Sequence, residues 1–500
     1  MGYSSDTLST SNNIPPIQTI QELTLDWFLQ VWNNNYYHAR DDDENKEGGQ
    51  QSKKLTRTDI ESFEIAPITQ GVLSSVYKLT VVMKRSISTT RKEEETILWI
   101  VKFPRPELQL DWMLECEANF YRQQQGRNGT HEESSVLPFD IPQFIYAGCS
   151  SENNNDNDKE KKPHQCLIIE GIPDVTCGPL TDGCPPEKVP YLIEAMAAWH
   201  AHNWVVTNID DHNSEARRTY HNLCPLPGMG QRLDPLQLEH LYRQEINTFL
   251  ERLVVQEDTT STITISPRTL QFLKDLSNYK LRAIPQRLRS QACACTCIHG
   301  DFHIANWLFP NNNNNNNNNN TQKDKMMKKR PVLVDWATAG YGNPMIDLVF
   351  FLVVSTTNTE TMILGAKEKW LPFYYSHLQE YYYHYGNNKA HNDSGRVHDE
   401  VLSLTKPLLY EWFQWAAINQ LLILVAYDEL CRQSVAPDDA STLAHFQRVN
   451  RRAILLVEAL FLKEWTGDGI VSLGKDHLEL ATDEERDQAR ALSDATPLRI

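Results

Sequence analysis

The sequence predicts an α+β protein with two lobes, a small strand-rich N-terminal lobe and a larger helical C-terminal lobe. Short apolar runs typical of strands are concentrated in residues 55–175. Amphipathic patterns with helical spacing dominate residues 176–470. A length of 500 residues suits one large two-lobed protein, so a single boundary between the lobes is enough.

Residues 1–54 are predicted to be an N-terminal extension. Residues 1–17 have the composition of a disordered segment, and TIQELTLDWFLQVW then spaces its apolar residues as one face of a helix does. We therefore expect one helix in this extension, with disordered segments around it.

The strand-rich lobe is predicted from a series of apolar runs. FEIAPITQGVLSSVYKLTVVM indicates two strands joined by a turn, and ILWIVKFP indicates a third. DWMLECEANFYRQQQ has helical periodicity, and QCLIIEG returns to a strand pattern. Polar, low-complexity stretches interrupt this series and continue beyond it, including ten consecutive asparagines at residues 311–320. They are too hydrophilic for a core, so we expect disordered surface insertions.

The helical lobe begins with the amphipathic stretch YLIEAMAAWHAHNW. Further helical patterns cover residues 234–256, 266–288, 361–385, 399–432 and 438–465. The acidic tail, residues 471–500, is predicted to form a surface helix.

Composition and charge limit the possible partners. The 65 acidic residues outnumber the 48 Lys and Arg, which gives a formal net charge of −17. We therefore expect no nucleic-acid partner, because nucleic acids bind basic surfaces. The start MGYSSDTLSTSNN lacks a secretory signal, and the longest apolar runs are too short to span a bilayer. A cytoplasmic protein without a membrane span is expected, and its oligomeric state stays open.

The stretch CIHGDFHIANWLF contains the clearest chemical signal. Asp301 and Asn306 lie between two runs that read as strands, although neither residue type favours a strand. They are therefore expected on a loop, where functional residues concentrate. After the asparagine run, VLVD predicts a strand that ends on Asp335, so the three side chains can converge across a hairpin. Such hard oxygen ligands suit Mg²⁺, and phosphoryl transfer from ATP needs this set.

A partner for the nucleotide phosphates is expected upstream. Lys102 lies inside the apolar strand ILWIVKFP, where a lone lysine needs a reason. Glu117 in the following helix can pair with it, and Glu115 on the same helix is the alternative partner. In ITQGVLSSVY, we expect a tight turn at Gly71 and a loop over the phosphates at residues 74–75.

Together these motifs resemble a known superfamily. HGDFHIAN, DWATAGYGNPMIDL, the strand lysine and EANFY are similar to motifs of the aminoglycoside phosphotransferase, choline kinase and ecdysteroid kinase-like families. The resemblance covers roughly residues 55–355 with motifs. It implies a two-lobed protein-kinase-like fold and an enzyme that uses ATP and Mg²⁺ to phosphorylate a hydroxyl group of a small organic substrate.

The resemblance also implies a role for each candidate residue. Asp301 would be the catalytic residue, and Asn306 and Asp335 would bind Mg²⁺. Lys102 would contact the phosphates, and Glu117 would orient it. Other residues of the nucleotide site would be Gly71, Ser74, Ser75, Glu170 and Ile172, the last two in the adenine-facing hinge IIEGI.

Two alternatives stay open, a catalytically inactive nucleotide-binding regulator and a protein kinase. The first is disfavoured because an inactive copy need not retain the complete set of candidate residues. A protein kinase needs a long peptide-docking segment after the metal-binding aspartate. Here only 12 positions separate Asp335 from Asp347, which the resemblance assigns to bracing the catalytic loop.

Several other residues favour ordinary structural roles. His200 and His202 face different ways on a helix, so packing or hydrogen bonding is expected rather than a metal site. Cys293, Cys295 and Cys297 alternate, but zinc sites usually space cysteines differently, so buried free thiols are preferred. Trp412, Trp415 and Asn419 share a helix face; they could line an acceptor pocket, but a core position is the preferred interpretation.

Overall fold

The computed structural model describes residues 17–36, 54–68, 74–84, 96–105, 111–127, 137–149, 164–204, 234–255, 265–289, 296–311, 330–357, 360–390, 405–434, 439–461 and 482. Three predicted features lie outside these residues: the turn at Gly71, the insertion over residues 312–329 and, apart from residue 482, the helix of the acidic tail.

The N-terminal lobe (N-lobe) is built on a five-stranded antiparallel sheet of order β1-β2-β3-β5-β4. The strands are β1 (Ile60–Pro67), β2 (Ser74–Met83), β3 (Thr96–Pro104), β4 (Phe144–Cys149) and β5 (His164–Glu170). Four of them coincide with the predicted apolar runs. The edge strand β4 was not predicted, because its segment FIYAGC is short and pairs only with β5.

Helix α1 (Leu25–Val31) packs on the outer face of this sheet. The Thr24 hydroxyl caps its first turn by accepting a hydrogen bond from the Trp27 backbone N–H (3.3 Å). Phe28 is fully buried, and its ring lies 4.6 Å from the ring of Trp99 on β3. The helix predicted within the N-terminal extension is therefore part of the N-lobe core.

Helix α2 (Asp111–Arg127) lies on the inner face of the sheet, between the two lobes. Phe120 on this helix stacks on Trp336 of the C-terminal lobe (C-lobe), with ring centroids 4.0 Å apart and planes 10° apart. Leu167 and Ile169 of β5 belong to the same continuous core. Apolar burial therefore joins the two lobes directly beside residue 335.

The described part of the C-lobe is mainly helical. Its α-helices are α3 (Val189–His202), α4 (Pro235–Val255), α5 (Pro267–Leu276), α6 (Ala283–Leu288), α7 (Met345–Ser355), α8 (Leu371–Ala390), α9 (Lys406–Ser434) and α10 (Ala440–Phe461). Together with the sheet of the N-lobe, they confirm the predicted α+β, two-lobed architecture. Within the described residues, no helix has the length and apolar character needed to cross a membrane.

The single helix predicted over residues 266–288 is instead two helices, α5 and α6. Between them, the guanidinium of Arg243 on α4 donates hydrogen bonds to the carbonyls of Ser277 (2.8 Å) and Tyr279 (2.9 Å). These bonds anchor the segment between α5 and α6 to α4, and the first gives a partner to a carbonyl at the end of α5. The break therefore depends on a contact from another helix, which local periodicity does not show.

Two small sheets carry the segments that contain the candidate site. β7 (Thr296–Ile298) pairs with β10 (Gly340–Gly342), and β8 (Trp307–Pro310) lies between β6 (Val175–Cys177) and β9 (Val332–Leu333). β8 and β9 are antiparallel, and residues 312–329 connect them. The predicted hairpin on either side of the insertion is therefore confirmed.

Candidate active site

The loop between β7 and β8, residues 299–306, is held from below by one buried carboxylate. The backbone N–H groups of His299 and Gly300 donate to the two oxygens of Asp347, at 2.7 and 2.8 Å. Gly300 has a φ of +79°, a conformation that glycine adopts without steric cost. Asp347 is fully buried on the first turn of α7, so it fixes the backbone directly before Asp301.

Asp347 is itself held by a buried histidine. Nε2 of His200 on α3 donates to the Asp347 carboxylate at 3.1 Å, and His200 Nδ1 bonds the Tyr374 hydroxyl of α8 at 2.7 Å. The predicted bracing role of Asp347 and the hydrogen-bonding role of His200 are both confirmed. Tyr374 was not predicted, because nothing in the local sequence links α8 to this loop.

The side chains of Asn306 and His303 surround Asp301. Asn306 Nδ2 donates to the Asp301 carbonyl at 2.9 Å and reaches its Oδ2 at 3.5 Å. His303 Nε2 lies 3.4 Å from the same Oδ2. Burial alone would lower the pKa of His303, but the adjacent Asp301 carboxylate raises it above its ordinary value. The local sequence carries no signal that His303 contacts Asp301, because this contact depends on how the loop folds back on itself.

Backbone pairing brings Asn306 and Asp335 to neighbouring positions. Trp307 on β8 faces Leu333 on β9, and the N–H of Val334 donates to the Asn306 carbonyl at 3.0 Å. Asp335 then takes a φ of +66°, an uncommon conformation for a residue other than glycine. The predicted convergence of Asp301, Asn306 and Asp335 is therefore present in the structure.

Lys102 on β3 joins this loop to the N-lobe. Its Nζ lies 2.8 and 2.9 Å from the two carboxylate oxygens of Glu117 on α2, and 2.8 Å from Oδ1 of Asp335. Glu117, rather than Glu115, is therefore the partner of Lys102. The Lys102 and Glu117 side chains are buried, whereas the Asp335 side chain is 44% exposed.

The single ammonium group of Lys102 pairs with two carboxylates, those of Glu117 and Asp335. Burial alone would lower the pKa of Lys102, but Asp335 and Glu117 raise it, so its ammonium group stays charged. Burial raises the pKa of Glu117 to about 7, although Lys102 opposes the shift. Burial also acts to raise the pKa of Asp335, but Lys102 lowers it below its ordinary value. The Asp335 carboxylate thus keeps its negative charge, and these three side chains together favour the binding of a further cation.

Asn306 and Asp335 have the chemistry of a magnesium site. The Asn306 amide donates through Nδ2, which leaves Oδ1 as its ligand atom, and Asp335 adds a half-exposed carboxylate. Among the described residues, no group of three or more His, Cys, Asp or Glu side chains could hold a metal. A metal here would therefore need further oxygen ligands from water or phosphate, as Mg²⁺ commonly has in nucleotide sites.

Ser74 and Ser75 were predicted to lie on a loop. They instead form the first two residues of β2. They pair with Pro104 and Phe103, and the next residue of β2 pairs with Lys102. Pairing with β3 extends the strand further than the local pattern indicated. Both serines therefore lie at the strand end next to Lys102, and Gly71 is outside the described residues.

The predicted hinge follows β5. Glu170 is the last residue of that strand, and Ile172 is partly buried in the connection to β6. Between them, Gly171 donates its N–H to the Leu98 carbonyl at 2.7 Å. A Cβ at this position would lie 2.5 Å from the Leu98 side chain, so only glycine permits the approach. Residues 170–172 thus connect the lobes, and their contact with adenine stays a prediction.

The remaining candidates occupy core positions. Trp412, Trp415 and Asn419 are buried on α9, which agrees with the preferred interpretation. Cys297 is a buried free thiol, whereas Cys293 and Cys295 lie outside the described residues.

One protein family matches this chain in sequence. The profile of the ecdysteroid kinase-like family matches residues 70–386, which is more than half of the chain. This segment contains every candidate residue named above from Gly71 to Asp347. No curated protein sequence matches the chain.

Several solved structures are similar to the chain at low sequence identity. Choline kinase from Cryptosporidium parvum is 12% identical, with 91% of this chain and 99% of that chain covered and a TM-score of 0.39. Plasmodium vivax ethanolamine kinase is 11% identical, with coverages of 80% and 84% and a TM-score of 0.35. Amicoumacin kinase in complex with AMP-PNP and Ca²⁺ is 11% identical, with coverages of 79% and 90% and a TM-score of 0.34.

Proposed function

The chain belongs to the ecdysteroid kinase-like family, and we propose that it transfers the γ-phosphate of ATP to a hydroxyl group of a small organic molecule. The observation that carries this proposal is the position of Lys102 between Glu117 and Asp335. The charged ammonium group of Lys102 and the partly exposed carboxylate of Asp335 therefore lie together between the lobes. Phosphoryl transfer depends on such positioning and charge stabilisation.

Each side chain then has a distinct task. Lys102, oriented by Glu117, binds phosphate oxygens of ATP. Asp301 accepts a hydrogen bond from the acceptor hydroxyl and aligns it for attack, while Asn306 Nδ2 and His303 Nε2 orient its carboxylate. When Mg²⁺ is bound by Asn306 and Asp335, it neutralises phosphate charge. Glu170 and Ile172 would face adenine, and the strand end at Ser74 and Ser75 would lie over the phosphates.

An inactive regulator and a protein kinase are less compatible with this site. An inactive regulator does not require the ordered contacts of Asp301 with Asn306 and His303. For a protein kinase, the residues after Asp335 would have to form a peptide-docking segment. Here they lead within 12 positions to Asp347 and the fully buried helix α7, which leaves no room for such a segment.

The test is turnover by the purified protein with ATP and Mg²⁺. The acceptors are a panel of alcohols, amino alcohols, sugars and sterols together with a mixed peptide library, and Asp301→Asn is the inactive control. We expect a phosphorylated small molecule, detected by mass spectrometry, that is absent with the control. Peptide labelling without any small-molecule product would support a protein kinase, and ATP binding without transfer to any acceptor would support an inactive regulator.

A further inference from the structure

Helix α10 places three basic side chains near the catalytic loop. His445, Arg448 and Arg452 are spaced by three and four residues, so they share one face of the helix. Arg452 contacts the end of α7, which holds the catalytic loop because the Ile304 backbone N–H donates to the Ser355 hydroxyl at 2.9 Å. We refer to His445, Arg448 and Arg452 as the basic cluster.

Hydrogen bonds hold the two arginines of the basic cluster in place. Arg452 is only 5% exposed, and its Nη1 donates to two carbonyls in the last turn of α7, at 3.2 and 3.3 Å. Arg448 is exposed and donates to the Thr181 carbonyl at 3.0 Å. These bonds go to carbonyl groups, which carry no formal charge, although those bound by Arg452 lie at the negative end of the α7 helix dipole; neither arginine is therefore paired with a full counter-charge.

Within the described residues, the charge around the basic cluster is unbalanced. In the part of the chain that the structure describes, none of its three side chains forms a salt bridge with a carboxylate. Burial and the charges of Arg452, Arg448 and His303 lower the pKa of His445 to about 4. Burial and the charge of Arg448 likewise lower the pKa of Arg452 to about 10. His445 is therefore neutral near pH 7, so Arg452 is the buried cation of the basic cluster, and a buried cation without a full counter-charge is unfavourable, which an anionic ligand would reverse.

The basic cluster is linked to Asp301 rather than to the nucleotide-binding lysine. Arg452 donates to the carbonyls of Val353 and Val354, and the hydroxyl of the next residue, Ser355, accepts a hydrogen bond from the Ile304 N–H of the loop that carries Asp301. Among the described residues, the electrostatic partners of Lys102 are Glu117 and Asp335, and no member of the cluster belongs to them. The cluster therefore adjoins the group that would receive the acceptor hydroxyl.

We propose that the basic cluster binds an oxyanion of the acceptor, so that the substrate is a hydroxylated acid rather than an amino alcohol. This inference rests on the proposed function, because it takes Asp301 as the group that meets the acceptor hydroxyl. Arginine recognises carboxylate and phosphate through paired N–H donors. The same side chains would repel an ammonium group.

The test is equilibrium binding without ATP, measured by isothermal titration calorimetry. The probes are glycolate, ethylene glycol and ethanolamine with their longer homologues, which share a terminal hydroxymethyl group and carry an anionic, neutral or cationic group at the other end. Glycerol phosphate is added to distinguish a phosphate site from a carboxylate site. We expect the acids to bind in preference to the neutral and cationic probes.

Matched variants assign this binding to the basic cluster. Arg448→Gln removes an exposed charge, so the fold should persist, and acid binding should weaken by roughly tenfold. Arg448→Lys should retain part of the affinity, because it keeps the charge and loses the paired donors. The control Lys274→Gln removes one exposed charge from α5 and should leave acid binding unchanged.

Three results would overturn the inference: no binding of any acid, stronger binding of the ethanolamine homologues, or equal acid affinity in wild type and Arg448→Gln. The titrations contain no ATP, so they separate the two proposals. Acid binding that depends on Arg448, without phosphoryl transfer to any acceptor, counts against the proposed function. Transfer to amino alcohols alone counts against the oxyanion site and leaves the kinase activity in place.

Discussion

The proposed nucleotide-binding side and the proposed acceptor side of Asp301 have opposite charge imbalances. On the nucleotide side, the single ammonium group of Lys102 lies between the carboxylates of Glu117 and Asp335. On the acceptor side, the basic cluster has no carboxylate partner among the described residues. The first arrangement attracts a further cation and the second attracts an anion. Under the two proposals made above, one catalytic loop would separate a metal-bound nucleotide from a second anionic substrate.

The largest effect is expected at Asp301, where the two sides meet. Asp301→Asn removes the charge that aligns the acceptor hydroxyl, so turnover should fall by about 10² to 10⁴-fold. Affinity for ATP with Mg²⁺ should change little, since the nucleotide-side groups are retained. Steady-state kinetics and nucleotide titration measure the two effects separately. Turnover close to that of the wild type would contradict the role of Asp301.

A change on the nucleotide side should act first on stability. Lys102→Met leaves the buried Glu117 carboxylate without its partner, which should lower the free energy of unfolding by about 3–5 kcal/mol. Adding Glu117→Leu should recover much of this loss, because the second change removes the uncompensated charge. Urea unfolding measures both variants.

The matched control for this change is Lys78→Met, on the neighbouring strand β2, where the lysine is exposed. It should alter the free energy of unfolding by less than about 0.5 kcal/mol. If Lys102→Met is no more destabilising than Lys78→Met, Lys102 and Glu117 do not form a stabilising buried pair.

A smaller effect on the acceptor side should depend on pH. The pKa of His445 is about 4 in the folded protein, below its ordinary value of 6.5, so the unfolded chain binds the proton more tightly. Stability is therefore fully present above pH 6.5 and is lost as pH falls toward 4. The loss should approach about 2 kcal/mol, once solvent screening is allowed for.

Unfolding experiments at several pH values test this prediction. His445→Gln should remove the His445 contribution, so its stability should fall less between pH 6.5 and 4 than that of the wild type. His384→Gln, which replaces an exposed histidine on α8, should retain the wild-type dependence. Identical pH dependence in His445→Gln and the wild type would show that His445 is not held neutral by its surroundings.

The smallest effect is expected for a change in the segment that connects β8 and β9. Replacing residues 312–329 with Asn-Gly keeps Asn311, which donates its N–H to the Asp174 carbonyl, and Arg330, which pairs with Asp140. Because β8 and β9 already pair, the shortened hairpin should leave kcat and nucleotide affinity within about twofold of wild type. A folded variant that no longer binds nucleotide would place the insertion in the site.

Much of the candidate site could be predicted from the sequence, because charged or polar residues stand there among residues that favour strands. Lys102 stands in an apolar strand, and Asp301 and Asn306 interrupt two strand patterns. Such residues conflict with the propensity of their neighbours, and these conflicts concentrate at functional positions. The alternation of apolar runs likewise identified four of the five strands of the N-lobe sheet and most helices of the C-lobe.

Other features could not be predicted, since they depend on contacts between segments distant in the chain. The break between α5 and α6 is stabilised by Arg243, and the brace of the catalytic loop continues from Asp347 to His200 and Tyr374. The placement of α1 on the sheet depends on aromatic packing against Trp99. Periodicity shows which face of a helix is apolar, but it does not show which surface covers that face.

The charge around the basic cluster shows most clearly which properties the sequence determines and which depend on the tertiary structure. In the sequence, His445, Arg448 and Arg452 are three basic residues on an amphipathic helix, where a solvated face is the ordinary expectation. Folding buries His445 and Arg452 against the end of α7 and near His303, without a carboxylate among their described partners. Residue types and their spacing thus predicted the phosphate-transfer chemistry that we propose. The electrostatic surroundings of the acceptor came from packing, because burial and charge separation are properties of the folded chain.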